Sequence, residues 1–179
     1  MGQAGSLVRY HKPTGQLQNI RPVHPNEEYL RWNWNAGIAI DPIDGIDLYY
    51  GSQFLHKTID NGRTWQIISP DLTTDDTIKQ EFLESGGLTY DVTGAEFHCT
   101  IVSIAPSPLD KNVIWVGTDD GNVQITKDGG KNWTNVNTMS GVPEATWVTQ
   151  IHASQYEVGE AWVVLDDHRR NNWEPYIYH

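Results

Sequence analysis

Short apolar runs recur along this chain, and polar turn residues separate them. The clearest runs cover residues 38–40, 101–105, 113–116 and 161–165. They are rich in β-branched and aromatic residues, and none of them keeps a helical period over the length of a typical helix. The pattern therefore predicts an all-β protein.

An eight-residue phrase occurs twice, as TIDNGRTW at residues 58–65 and as TKDGGKNW at residues 126–133. Both copies fit the pattern Ser/Thr, any, Asp, any, Gly, any, Thr/Asn, Trp. The Asp and Gly positions provide side chains that bond their own backbone and residues that tolerate positive φ. Strand-like residues flank both copies, so each is predicted to form the tip of a β-hairpin. A phrase that recurs also indicates a structural unit that recurs.

A structural role is expected for these positions. In each hairpin tip, the Asp carboxylate should accept hydrogen bonds from turn amides, the Thr or Asn side chain should brace the loop, and the Trp ring should pack back on the hairpin. A carboxylate engaged in this way stays ionised and occupied, which argues against catalysis by either Asp. The residues concerned are Thr58, Asp60, Gly62, Thr64, Trp65, Thr126, Asp128, Gly130, Asn132 and Trp133.

The similarity between the two units extends upstream of the phrase. Residues 38–51 (IAIDPIDGIDLYYG) align with residues 104–117 (IAPSPLDKNVIWVG), and a third unit begins at Ile151. Each unit contains about four short strands, which is typical of a propeller blade. The expected fold is therefore all-β, with about two complete four-stranded β-propeller blades and partial blades at both ends.

One partial β-propeller covers residues 1–179 in this interpretation. Its blades are placed at residues 1–34 (partial), 35–70, 100–138 and 148–179 (partial), with a loop insertion at 70–99. The third unit stops before a third phrase. We therefore expect either a piece of a larger protein or several copies that associate through open blade edges. The blade number of the closed ring and the oligomeric state are left open.

The repeated phrase resembles the Asp-box of BNR-type repeats, which occur in sialidases, sortilin-like proteins and xyloglucanase-type glycoside hydrolases. Six further segments extend the resemblance over nearly the whole chain, to sortilin-like and glycosyl-hydrolase-related multi-propeller proteins. The segments are VRYHKPTGQ, ISPDLT, TGAEFHCTI, SPLD, GTDDGNV and DDHRR. The resemblance implies that the box lies at the turn between the third and fourth strands of a blade, away from the ligand-binding face. It indicates the fold more specifically than the function.

Composition and charge limit the classes of partner that the protein is expected to bind. The formal net charge is −11 with a pI near 4.9, and an acidic surface argues against nucleic acid and anionic membranes. No apolar run is long enough to insert into a membrane. Residues 1–10 lack the regions of a signal peptide, so the compartment is left open, and a secreted or periplasmic parent protein is one expectation. No cofactor and no metal is predicted, because the seven His are scattered without metal-ligand spacing.

Two groups of residues are weak catalytic candidates. Glu96 and His98 alternate with their neighbours, so they are predicted to share one face of a strand, where a carboxylate and an imidazole could do acid–base work. Asp166, Asp167 and His168 follow an apolar strand and could line a polar pocket, since paired carboxylates are what glycoside hydrolysis requires. A structural or solvated role is the favoured interpretation for both groups. The acidic turn at 119–121 is interpreted as a simple hairpin turn.

Aromatic residues are the other candidates, because their faces can stack on sugar rings. Trp115 and Trp162 align with each other in strand positions and are assigned to the core. The remaining candidates for exposed positions are Trp32, Trp34, Tyr49, Tyr90, Trp147 and Trp173.

The favoured functional hypothesis is a non-catalytic binding or scaffold module from a larger Asp-box repeat protein. Its partner would be a carbohydrate, a protein or a peptide. The alternative is part of a glycoside hydrolase that acts on a β-glucan-type polysaccharide. A sortilin-like propeller that binds peptides or proteins is a further alternative, which the resemblance alone suggests. As an isolated chain, the protein is predicted not to be an enzyme.

Overall fold

Four antiparallel sheets make up the computed structural model, which describes residues 5–81 and 97–179. A short 3-10 helix, His168–Arg170, joins the last two strands. The strands are β1 (Val8–His11), β2 (Gln16–Asn19), β3 (Ile38–Ile40), β4 (Leu48–Gly51), β5 (Leu55–Thr58), β6 (Gln66–Ile67), β7 (Ile101–Pro106), β8 (Ile114–Thr118), β9 (Val123–Thr126), β10 (Thr134–Asn135), β11 (Trp147–Ala153), β12 (Ala161–Asp167) and β13 (Asn172–Tyr178).

Each sheet is a meander in which consecutive strands pair. Strands β3 to β6 form one four-stranded sheet and β7 to β10 form another, while β11 to β13 form a three-stranded sheet and β1 and β2 a hairpin. Two complete blades and a partial blade at each end are thus present, and the predicted fold class is confirmed. None of the helices in the described part of the chain has the length and apolar character needed to cross a membrane.

Close approach between neighbouring sheets depends on two glycines at equivalent positions. A Cβ on Gly51, at the end of β4, would lie 2.6 Å from the Ile101 side chain of the next sheet. A Cβ on Gly117, in β8, would lie 2.4 Å from the Val148 side chain. Glycine at these positions lets the second strand of one sheet pack against the first strand of the next. The core forms in these spaces between sheets.

The first repeated phrase forms the turn between β5 and β6. The Asp60 carboxylate accepts hydrogen bonds from the Thr64 amide at 2.9 Å, the Thr64 hydroxyl at 2.7 Å and the Arg63 amide at 2.9 Å. The Thr58 hydroxyl also donates to it, at 2.9 Å. Led by the Thr64 amide, these bonds lower the pKa of Asp60 to about 2.

The second repeated phrase has the same bonds in the turn between β9 and β10. Asp128 accepts from the Asn132 side-chain amide at 2.6 Å, from the Asn132 backbone amide at 2.9 Å and from the Thr126 hydroxyl at 2.9 Å. The Asn132 side chain is the largest of the causes that lower the pKa of Asp128 to about 2. Asn132 thus takes the place that Thr64 has in the first copy.

The tryptophans of the two phrases reach further than their own hairpins. The indole Nε1 of Trp65 donates to the Ile20 carbonyl oxygen at 2.7 Å, and that of Trp133 donates to the Ile68 carbonyl oxygen at 3.1 Å. In both cases the acceptor belongs to the preceding sheet or hairpin. Each tryptophan therefore also bonds to the preceding unit, in addition to the packing on its own hairpin that the sequence predicts.

The two tryptophans assigned to the core differ in their burial. Trp115 in β8 is 9% exposed and belongs to the cluster between the second and third blades, as expected. Trp162 in β12 is 50% exposed, so its assignment to the core is wrong. The residues of β12 alternate between buried and exposed, and Ala161 and Val163 occupy the buried face. No sheet in the described part of the chain packs on the face that carries Trp162.

Candidate functional site

The meander topology sorts the loops onto two edges of the sheets. The ends of β4, β8 and β12 lie at one edge, together with the segments that lead into β3, β7 and β11; we call this the upper edge. Both repeated phrases lie at the opposite edge, because they follow β5 and β9. The upper edge brings together most of the charged residues that could take part in chemistry.

A buried aspartate is at the centre of the upper edge. Asp119 follows β8 and is 0% exposed. Its carboxylate accepts hydrogen bonds from the Thr100 amide at 2.8 Å, the Thr100 hydroxyl at 2.6 Å and the Asn33 side chain at 3.0 Å. Asp119 therefore joins the segments that lead into β3 and β7 to the turn between β8 and β9.

Asp120 is buried beside it, at 2% exposed. Its carboxylate accepts hydrogen bonds from the Thr74 amide at 2.7 Å and the Thr74 hydroxyl at 2.8 Å, and from the Thr118 hydroxyl. These bonds attach the segment after the first blade to the turn of the second. The turn at 119–121 therefore has a larger role than the simple hairpin turn expected from the sequence.

Burial gives Asp119 an unusual protonation equilibrium. Removal from water, together with the charge of Asp120, raises the pKa of Asp119 to about 8, although the bonds from Thr100 and Asn33 oppose the change. Burial thus favours the protonated form of the Asp119 carboxyl group, and the three donors favour its ionised form. Burial and the same two aspartates also raise the pKa of the Cys99 thiol to about 12, so this thiol stays protonated and unreactive.

His98 adjoins this network. Its side chain is 3% exposed, and its Nδ1 lies 3.7 Å from the Asp119 carboxylate, too far for a hydrogen bond. Nδ1 has no hydrogen-bond partner among the described residues. Burial is the main cause that lowers the pKa of His98 to about 4, so the ring is neutral at neutral pH.

Of the predicted pair Glu96 and His98, the structure describes His98. Glu96 lies outside the described residues. His98 is not in a strand, because β7 begins at Ile101 and Cys99 has a φ of 60°. The strand alternation on which the pair was predicted does not hold for His98.

A cavity of about 190 Å³ lies at the upper edge next to His98. Its wall unites three of the weak catalytic candidates, His98, Asp166 and Asp167, and the Trp147 ring forms part of it. The guanidinium carbon of Arg169 stands 3.7 Å from the centroid of the Trp147 ring, as in a cation–π contact. The lining residues are Lys79, His98, Ala145, Trp147, Asp166, Asp167, Arg169 and Arg170.

Asp166 and Asp167, both in the cavity wall, have partners within the protein. Asp166 accepts from the His168 ring at 2.5 Å and from the His168 amide at 3.0 Å. Burial opposes the effect of these bonds, but the pKa of Asp166 is still lowered. Asp167 accepts from the Arg170 guanidinium at 2.5 Å and from the Asn172 side chain at 3.2 Å. Neither carboxylate is left free for an acid–base role.

The six aromatic candidates separate by burial. Trp32 and Tyr49 are 1% and 0% exposed, so they cannot stack on a ligand and their interpretation as exposed sugar platforms is wrong. Trp34 and Trp173 are exposed, and Trp147 is half-buried in the cavity wall. Tyr90 lies outside the described residues.

A group of three carboxylates lies at the opposite edge. Asp41, Asp44 and Asp47 come within 4.8 Å of one another in the turn between β3 and β4. Lys111 binds Asp44 and lies 2.9 Å from Asp47, and Lys57 lies 2.7 Å from Asp47. The contact with Lys111 is the largest cause that lowers the pKa of Asp44 to about 2. The two lysines thus offset negative charge in the group of three carboxylates.

Comparison with known proteins assigns no activity to the chain. No protein-family model and no curated protein sequence matches the chain. The GH74 xyloglucanase from Xanthomonas campestris is 21% identical, with a TM-score of 0.49, over 72% of this chain and 18% of that chain. YCF48 bound to D1 peptide is 18% identical, with a TM-score of 0.41, over 86% of this chain and 45% of that chain. The NanB sialidase from Streptococcus pneumoniae is 16% identical, with a TM-score of 0.43, over 84% of this chain and 21% of that chain.

All three are β-propeller proteins. The chain spans less than half the length of each of them. At these TM-scores and identities, the likenesses assign no function to the chain.

Proposed function

We propose that this chain is a non-catalytic binding module of an Asp-box repeat propeller, and that it binds its ligand at the upper edge. The observation that carries the proposal is the state of the four aspartates there. Asp119 and Asp120 are buried and hydrogen-bonded, while Asp166 and Asp167 are engaged by His168 and Arg170. The cavity beside them leaves an aromatic ring and cationic groups to meet a ligand.

Glycoside hydrolysis places demands that these aspartates do not meet. It requires two carboxyl groups that face one substrate-sized space from opposite sides. Asp119 and Asp120 are 0% and 2% exposed and do not line the cavity, so a glycosidic oxygen cannot approach either of them. The network instead fixes three chain segments in position behind the cavity.

One observation favours the hydrolase as a second candidate. Burial raises the pKa of Asp119 to about 8, and a carboxyl group with a raised pKa is what a general acid needs. Such a role would require the network to open and expose Asp119 to a β-glucan-type substrate. A direct measurement of binding and turnover separates the two candidates.

The test titrates the chain with β-glucan and xyloglucan oligosaccharides in a calorimeter and analyses the same mixtures for hydrolysis products. Binding without products is expected. Trp147→Ala should weaken binding about tenfold, as expected for an aromatic stacking contact. Trp162→Ala is the matched control, since this half-exposed indole in the middle of β12 is not part of the cavity wall.

The outcomes that overturn the proposal are distinct. Products whose formation is abolished by Asp119→Asn would establish the hydrolase. Equal loss of affinity in the Trp147 and Trp162 variants would place the binding surface elsewhere. Failure of every saccharide to bind would reject a carbohydrate-binding module.

A further inference from the structure

Basic side chains are concentrated at the upper-edge cavity. The chain has 12 Lys and Arg against 23 Asp and Glu. Three of the 12, Lys79, Arg169 and Arg170, nevertheless line one cavity of about 190 Å³. These three cationic side chains stand against two carboxylates in the wall, Asp166 and Asp167, so the cavity is less acidic than the chain as a whole.

Arg169 and Lys79 are the two of these cations without a short ion pair to a carboxylate, although the charge of Arg169 acts on nearby Asp166. Arg170 is engaged by Asp167, by the Glu144 carbonyl at 2.8 Å and by the Thr146 hydroxyl at 3.1 Å. Lys79 has one carboxylate within reach, Asp76 at 3.9 Å, which is the limit of an ion pair. Among residues 5–81 and 97–179, Arg169 has no hydrogen bond and no ion pair, and its contact is with the Trp147 ring.

The Trp147 ring gives the guanidinium of Arg169 a platform. A stacked guanidinium keeps its plane fixed while its N–H groups remain available at the edge of that plane. In this arrangement the donors match the two oxygens of a carboxylate or phosphate. The fixed plane reduces the side-chain freedom that would be lost when a ligand binds.

A second polar group in the cavity wall lacks a partner. His98 is 97% buried as a side chain, and its Nδ1 has no hydrogen bond within the described part of the chain. A buried polar atom without a partner is costly unless something else satisfies it. Its Nδ1 lies 3.7 Å from Asp119, on the side of the buried network, and the imidazole adds no negative charge to the cavity wall.

We infer that the cavity binds an oxyanion group of the ligand, a carboxylate or a phosphate, held by Arg169 and Lys79 beside Trp147. This inference rests on the proposed function, since it names the chemistry that the binding module recognises. A volume of about 190 Å³ is smaller than the space that usually encloses a whole ligand, roughly 300–1,000 Å³. The cavity therefore takes one charged group, and the rest of the ligand extends along the upper edge.

Calorimetric titration with glucuronate, glucose and inorganic phosphate tests the inference. Glucuronate should bind, and glucose, which lacks the carboxylate, should not. Arg169→Gln and Lys79→Gln should each weaken glucuronate binding about 10- to 100-fold, as expected for a lost hydrogen bond to a charged group. Arg63→Gln, an exposed arginine in the repeated phrase at the opposite edge, should leave the affinity unchanged.

The phosphate arm distinguishes the two sources of the oxyanion. Competition between phosphate and glucuronate shows a site for either anion, and binding of glucuronate alone restricts the site to a carboxylate on a sugar. If neutral xyloglucan oligosaccharides bind through Trp147 while neither anion binds or competes, the inference is rejected and the proposed function stands. If no saccharide and no anion binds, the inference is rejected, and so is a carbohydrate-binding module. Equal losses in the Arg169 and Arg63 variants would show non-specific attraction, which also rejects the inference.

Discussion

Trp133 donates its indole N–H to the carbonyl oxygen of Ile68 over 3.1 Å, and this bond joins the second blade to the first. Trp65 makes the same bond one unit earlier, to Ile20 at 2.7 Å. Ile20 and Ile68 occupy equivalent positions in their units. The Ile20 amide donates to the Leu7 carbonyl oxygen, and the Ile68 amide donates to the Leu55 carbonyl oxygen, both at 2.9 Å. The repeated phrase therefore both closes a turn and fixes the spacing between neighbouring sheets.

Trp133→Phe tests this bond. The variant keeps an aromatic ring but leaves the Ile68 carbonyl without its donor, so the free energy of unfolding should fall by about 0.5–1.5 kcal/mol. Urea denaturation followed by circular dichroism measures the change. Trp162→Phe, at a half-exposed position, should stay within about 0.5 kcal/mol of the parent chain. Similar losses in both variants would contradict a specific bond.

Gly130→Ala tests the contact between blades from the backbone side. Gly130 has a φ of 98°, and a Cβ there would lie 2.3 Å from the Ile68 carbonyl oxygen. Gly141 has a φ of 85° with nothing within 4 Å of its Cβ position. Gly141→Ala should therefore lower the free energy of unfolding only by the backbone strain, about 1–2 kcal/mol, and Gly130→Ala should lower it by clearly more. Equal costs in urea denaturation would show that the contact with Ile68 contributes nothing.

Asp128→Ala tests the structural interpretation of the repeated phrase. The variant leaves the Asn132 amide without its acceptor, so the midpoint of urea unfolding at pH 7 should fall. The folded pKa of Asp128 is about 2, below its usual value, so its stabilising effect is present above about pH 4. It is lost as the pH falls through about 2, and the difference between the variant and the parent should vanish there. Asp60→Ala should behave in the same way, and ligand affinity should be unchanged in both variants.

Asp119 predicts a loss of stability towards alkaline pH. Its pKa is raised from its usual value to about 8 in the folded protein. Its contribution to stability is therefore fully present below about pH 4 and is lost as the pH rises towards 8. Asp119→Asn should remove this dependence from the urea midpoints measured between pH 5 and pH 8. Its absolute stability should be lower, because the new amide can set an N–H group against Asn33.

His98 supplies a control for this pH profile. Burial lowers the pKa of His98 to about 4. The free energy of unfolding should therefore fall as the pH drops below about 6.5, which is the opposite direction to the Asp119 effect. The His98 effect should persist in Asp119→Asn. A profile between pH 5 and pH 8 that is unchanged in the variant would show that Asp119 is ionised in the folded protein.

Local patterns were enough to predict the sheets, because each meander is built from neighbours in the sequence. Alternating apolar residues and turn residues identified the strands and both hairpin tips. The bonds of Asp119 and Asp120 were outside the reach of such patterns, since their partners Asn33, Thr74 and Thr100 lie 86, 46 and 19 positions away. One signal was available: the segments upstream of the two phrases lie 66 positions apart and the phrases themselves 68, so the second unit has two additional residues near 119–121.

Trp162 shows the limit of alignment between repeats. It aligns with Trp115, but the equivalent strands have different surroundings. Every residue of β8 is buried because sheets lie on both of its faces. The β12 strand has a neighbouring sheet on one face within the described chain, so its alternate residues are exposed. Whether an aligned residue is buried therefore depends on a neighbouring sheet that packs on it, and an alignment of repeats carries no information about that sheet.

The edge of the third sheet predicts self-association. In the second blade, β10 pairs with the outer edge of β9, but no strand in the described part of the chain pairs with the outer edge of β13. Trp173 and Ile177 on β13 are 76% and 62% exposed. An unpaired strand with exposed apolar side chains favours pairing with another strand.

We expect the mass measured by size-exclusion chromatography with light scattering to rise above that of one chain as the concentration increases. Ile177→Lys should return the protein to one chain, because a charge on the edge strand opposes pairing. Ile43→Lys is the matched control, since Ile43 is 48% exposed in the turn between β3 and β4, at a distance from β13 in the fold. A mass of one chain at every concentration would show that β13 does not pair between copies. Association lost equally in both variants would point to general hydrophobic contact instead of strand pairing.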